Sequence, residues 1–295
     1  MSGPAPTDPA QIALAPTDPC AALALHVLAH VPLAGPEDLY DLAWVQAWAA
    51  RARPERRAAL AEEAAILAAR WPLEPRAALL QGLPGLLGDL AALERLAPRS
   101  LRSLRADEVR DPALLRALQT LDEPLIELLW ASLGLEAEAW AARWPELERE
   151  LSAACAALDP WLREAASLAP PLRAARVELA PSLGPRGRGF ADRLIVGAAL
   201  PWNDLTPPEP AVQAAHEALV RAEPAQWATS EWRALTGLSA ALRTASPALR
   251  AAHTRWLARL DLRALCREVG GGALELLTLA PAARPEWFAA RPWAR

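Results

Sequence analysis

Residues 173–217 read RAARVELAPSLGPRGRGFADRLIVGAALPWNDLTPPEPAVQAAHE, and this stretch decides the fold class. Arg176–Pro181 alternates in polarity and Arg193–Gly197 is rich in branched apolar residues; Pro and Gly bound both runs. That pattern predicts two short strands joined as a small antiparallel β-hairpin near 175–198. A Pro-rich loop follows, then a helix over 209–222 that carries His216-Glu217.

On either side of this stretch, Ala, Leu, Arg and Glu recur at helical spacing, punctuated by Pro. Thr-Asp-Pro at 17–19 has a capping Asp followed by Pro at the first helical position, and so starts a helix over 19–31. Similar signals place helices at 36–52, 54–70, 75–95, 111–134, 136–158 and 159–168. Pro84, Pro124 and Pro145 fall inside helical patterns, where a missing donor is expected to kink or split the helix. Beyond 209–222, helices are expected at 229–244, 247–259, 261–269 and 273–280. The fold class is therefore mainly α (α+β), a Pro-punctuated helical array around a small hairpin. The expected organisation is a flexible lead over 1–18, a helical region over 19–169, and a hairpin-plus-helix region over 170–295. The last two are compatible with one continuous domain.

Composition narrows the function classes. The 295 residues are 53% hydrophobic, enough for a sizeable core. Every one of the 31 basic residues is Arg, and Asn, Tyr, Phe and Ile are scarce, the signature of a GC-rich bacterial genome. Net charge is −4, with acids and bases interleaved and no basic stripe, so a nucleic-acid partner is not expected. No uncharged apolar run approaches the ~20 residues of a membrane span. The first positive charge is Arg51, so no signal peptide is read. Cys20, Cys155 and Cys266 are isolated and odd in number, which suits a reducing, cytoplasmic setting.

Three sets of residues could carry chemistry. The first is His216-Glu217 in AAHEALV. In the HExxH motif two His one helical turn apart bind zinc, and the Glu serves as general base toward the bound water. With the two strands before it, this stretch resembles the strand–loop–strand–helix layout of zincin-type metallopeptidases over about 45 residues. The resemblance implies His216 as a zinc ligand and Glu217 as the catalytic base. The second-ligand position is Val220, so the motif is degenerate. Glu231, as a downstream acid of the gluzincin kind, and His253 are candidates for the missing ligands. The second set is His26 and His30, on one face of the first helix and close enough to share a metal, either alone or with His216. No acid lies near them before Glu37, so no local acceptor orients them. The third set is Arg186 and Arg188 in GPRGRG, two guanidinium groups on a turn that could grip an anion.

Trp44/Trp48 and Trp140/Trp144 are spaced at i,i+4, which places each pair on one helix face as core or interface anchors. The favoured reading is a non-catalytic interaction or scaffold protein, possessing a zincin-like but degenerate core and a protein partner. The alternative is a zinc-dependent hydrolase acting through His216 and Glu217.

Overall fold

The computed structural model describes residues 12–30, 39–49, 54–70, 123–189, 193–198, 208–222 and 227–291. Its elements in chain order are β1 (Ala13–Pro16), α1 (Pro19–Ala29), α2 (Leu42–Ala49), α3 (Pro54–Arg70), α4 (Glu123–Leu168), β2 (Arg176–Ala180), β3 (Arg188–Gly189), β4 (Arg193–Gly197), α5 (Pro208–Ala222), α6 (Trp227–Ala241), α7 (Pro247–Arg259), α8 (Arg263–Val269) and α9 (Arg284–Ala289). A 3₁₀ segment covers Gly271–Thr278. The protein is mainly helical with one small four-stranded sheet.

Strand order is β1-β2-β4-β3. The two strands expected as an antiparallel pair instead run parallel, with Val177 opposite Leu194 and Leu179 opposite Val196. The antiparallel pairing in this stretch belongs to β3 and β4, with Arg188 opposite Ile195. The physical reason lies in the connection. Chain leaving β2 passes over the strand end through 181–187, returns along the outer edge as β3, and only then enters β4. A tight turn would have forced antiparallel pairing; this longer route allows the parallel one. Burial agrees, since β4 is buried at all five positions, as strands of covered parallel sheets are.

β1 was not expected. Part of the predicted flexible lead is a strand parallel to β2, with Leu14 opposite Val177. It is a short edge strand ending in Pro16, where a missing ladder donor is tolerated. Thr17 then bonds backwards to Leu179 O at 3.0 Å, and the Asp18 carboxylate caps α1 by accepting from Cys20 N at 2.8 Å.

α4 is a 46-residue helix that continues through Pro145 and Pro160. The helix restart expected at Pro160 does not occur, and Pro145 does not split the helix. Both prolines lie on the exposed face, where water can reach the carbonyl each leaves without a donor. Pro124 is the second helical residue rather than an interior one. Expectations for 75–95, Pro84 and 111–122 lie outside the described residues.

α1 and α5 both pack on α4, and α5 also packs on β4, α6 and α7. Buried side chains from Ile12 to Phe288 form one contiguous cluster that draws on both expected regions. Among the described residues no helix is long and apolar enough to cross a membrane.

Candidate functional site

α5 is nearly encased, with every residue from Ala211 to Ala218 buried. Gln213 sets its position. Its Nε2 donates to Gly184 O at 3.1 Å, and its Oε1 accepts from Gly197 N at 3.0 Å. The packing there requires glycine, because a Cβ on Gly197 would stand 2.5 Å from Leu183 O and 2.6 Å from Gly184 O. The next turn of α5 meets a second glycine. A Cβ on Gly187 would lie 2.7 Å from Glu217 Cγ.

The loop, α6 and α7 complete the surroundings of His216. Its ring is 1% exposed. Nδ1 is 3.4 Å from Glu217 Oε1, and Nε2 is 3.6 Å from Glu231 Oε1 on α6. Neither ring nitrogen reaches hydrogen-bond geometry. Arg186, 7% exposed, reaches in from the loop. Its Nη1 is 2.5 Å from Glu231 Oε1, and its Nη2 donates to Asp261 O at 3.1 Å. Trp256 lies against the His216 ring, centroids 5.0 Å apart, and donates Nε1–H to Pro185 O at 2.7 Å.

Charge governs protonation here. Burial works against a charged His216, but the Glu231 and Glu217 carboxylates outweigh it and hold the imidazole above its ordinary value. Burial likewise works against a charged Glu217. The adjacent His216, then Arg186 and Arg188, overcome it and lower the carboxyl. Burial lowers Arg188, whose neighbours are Tyr40, Glu217 and Arg186. The Tyr40 hydroxyl faces this guanidinium without reaching hydrogen-bond geometry, and burial raises it. His253 packs on the other side of the cluster, stacked on Trp256 at 6.0 Å, its Nε2 3.4 Å from Ser239 Oγ. Burial, and then the charge on His216, push it down to about 3.

The structure therefore brings His216, Glu217 and Glu231 together and places His253 close enough to feel their charge. Val220, on the same helix, is half-buried. Arg186 meets an internal anion: its guanidinium points inward, onto the Glu231 carboxylate and the Asp261 carbonyl. Arg188 likewise faces Tyr40 and Glu217. Sequence reasoning missed Arg186 as an internal cation, and it missed Gln213 and Trp256. A polar Gln one turn before the His-Glu pair on an otherwise apolar helix was the available signal.

His26 and His30 do not join His216. Their cluster lies between α1, α2 and α4. His26 is fully buried, stacked on Trp140 at 5.1 Å, with Trp44 and Trp48 each 5.9 Å away. The Trp pairs are thus core anchors, and Arg143 lies over Trp48 at 3.8 Å. The acid missing from the local sequence comes from α4: Glu136, 2% exposed, stands 3.9 Å from His26 Nε2, beyond hydrogen-bond reach. Glu136 is one turn before Trp140, on the Trp face of α4, a signal the sequence did contain.

A cavity of about 10 Å³, room for about one water, lies beside Gln213, Pro185 and Trp256. A depression of about 200 Å³ lies beside Ala175, Leu194 and Arg221. Neither is lined by His216, Glu217 or Glu231. Among the described residues, no three His, Cys, Asp or Glu side chains are gathered at metal-ligand distances. Comparison with protein-family models, curated proteins and solved structures finds no match to this chain.

Proposed function

We propose that this is a non-catalytic protein with an interaction or scaffold role, in which a degenerate zincin-like His-Glu helix serves as an internal clasp. The observation that carries the reading is Arg186. A hydrolytic zinc site needs three protein ligands and an open position for water. Here the residue one turn after His216 is Val220, and a buried guanidinium neutralises Glu231. The side chains present do not fit a hydrolytic zinc. They do fit a closed ionic network of Arg186, Glu231, His216 and Glu217 that ties the 185–187 loop to α5 and α6. Exposed Leu274 and Leu277 support the interaction half of the proposal. They lie three residues apart in a 3₁₀ segment, hence on one face.

The competing reading is a zinc-dependent hydrolase with His216 as ligand and Glu217 as base. It draws on one observation, the Glu231 carboxylate 3.6 Å from His216 Nε2. Casein hydrolysis separates the two. The clasp reading expects the purified protein and its Glu217→Ala variant to be equally inactive. Zinc-dependent turnover lost in Glu217→Ala would establish the hydrolase.

A further inference from the structure

We propose that α2 is an acid-released strap: protonation of His26 and His30 beneath it lifts the helix off α1 and α4. α2 is a surface helix of eight residues, with Leu42 48% exposed. Its inward side is Trp44, Val45 and Trp48, while Leu42, Ala43, Gln46 and Ala47 face solvent. Both Trp rings rest on His26, each at 5.9 Å, and Trp48 lies 4.8 Å from Trp140 of α4. α1 beneath it is buried from Ala21 to Leu28, so α2 is the element free to move. The N-terminal end of α2 is tied to the loop after β2: Asp41 N donates to Ser182 O at 2.9 Å, and the Asp41 carboxylate accepts from Trp44 N at 3.0 Å. That end is the hinge.

The seat under α2 is built for neutral rings. His26 is fully buried and neither of its ring nitrogens has a hydrogen-bond partner; nor has Nε2 of His30. The two rings stand edge to face at 4.9 Å, so two imidazolium charges repel across an apolar gap. α2 contains no titratable residue. Among the described residues, α4 brings two charged groups to the cluster. Arg143, over Trp48 at 3.8 Å, opposes further positive charge, and Glu136, 3.9 Å from His26 Nε2, favours it. Burial, and then His30, outweigh that carboxylate and hold His26 well below its ordinary value; burial lowers His30 as well. With α2 lifted, water reaches both rings and they titrate near 6.5. A depressed folded value therefore keeps the strap shut above pH 6.5 and favours release as pH falls below it. The opening ratio rises by up to about tenfold per pH unit for each ring.

Hydrogen exchange read by mass spectrometry on the full chain follows each helix separately. Corrected for the intrinsic pH dependence of exchange, protection of 42–49 should fall at least ~10-fold between about pH 7 and 5, while that of 208–222 holds. His26→Phe should respond less, and His26→Phe/His30→Gln not at all. His216→Ala should respond like the parent, which keeps the outcome independent of the clasp. Protection of 42–49 that stays constant over this range, or that falls together with 208–222, overturns the proposal. So does an undiminished response in the double variant. Where a variant does not fold, the comparison of 42–49 with 208–222 in the unsubstituted protein decides.

Discussion

Replacing Arg186 by alanine removes the guanidinium that neutralises Glu231. Both side chains are nearly sealed, 8% and 4% exposed, so solvent screening gives little relief. Breaking a buried pair from one side costs about 3–5 kcal/mol, because the remaining charge is left in a poor dielectric. His216, 3.6 Å away and disposed to hold a proton, takes up part of that charge, which points to the lower end of the range. The lost donor to Asp261 O acts in the same direction. Against a total stability of about 5–15 kcal/mol, a loss of about 3 kcal/mol is large. The double variant Arg186→Met/Glu231→Leu removes both charges and should return to within about 1–2 kcal/mol of the parent. Urea unfolding followed by Trp fluorescence measures each free energy by linear extrapolation. A single-variant loss under about 1 kcal/mol, with additive effects in the double, would refute the reasoning: the pair would then be solvated and not a clasp.

Other predictions follow from the same packing. Gly197→Ala should destabilise by about 1–3 kcal/mol or more in thermal or urea unfolding, since its Cβ meets two backbone oxygens that cannot rotate away. Trp256→Phe keeps one aromatic ring but removes the pyrrole part of the indole with its donor to buried Pro185 O, and the lost donor alone should cost about 1–3 kcal/mol in the same assay. His253 has its folded value depressed from 6.5 to about 3, so its contribution is complete above pH 6.5 and is lost as pH falls toward 3. In that window His253→Asn should flatten the pH dependence of unfolding by up to about 1.4 kcal/mol per pH unit. His216, raised by its carboxylates, acts with the opposite sign: its contribution is present below 6.5 and fades as pH rises through its folded value.

Local signals in the sequence were readable where local physics decides the outcome. Asp18-Pro19 caps α1 through a contact two residues away, and α3 spans the predicted 54–70. The restart expected at Pro160 misled because propensity penalises a missing donor without regard to the side of the helix that carries it. Strand identity at 176–180 and 193–197 was legible, but strand direction was not, because it depends on where residues 181–192 travel. The unbroken apolar run Leu194–Val196 was nonetheless a parallel-sheet signal. At the site, His216-Glu217 was visible as a pair and Glu231 as a candidate acid. Arg186, 45 residues before Glu231, was legible only as a turn residue able to grip an anion, because nothing local shows that a loop folds inward. Glu136, which stands against His26, comes from a helix more than a hundred residues away in the chain.

The central claim is that His216 belongs to a closed ionic network and not to a metal centre. Metal content per chain, measured on the purified protein and on its His216→Ala variant, tests this most directly. The account predicts the same stoichiometry in both. A loss of one equivalent of zinc in His216→Ala, with the fold intact, would contradict it.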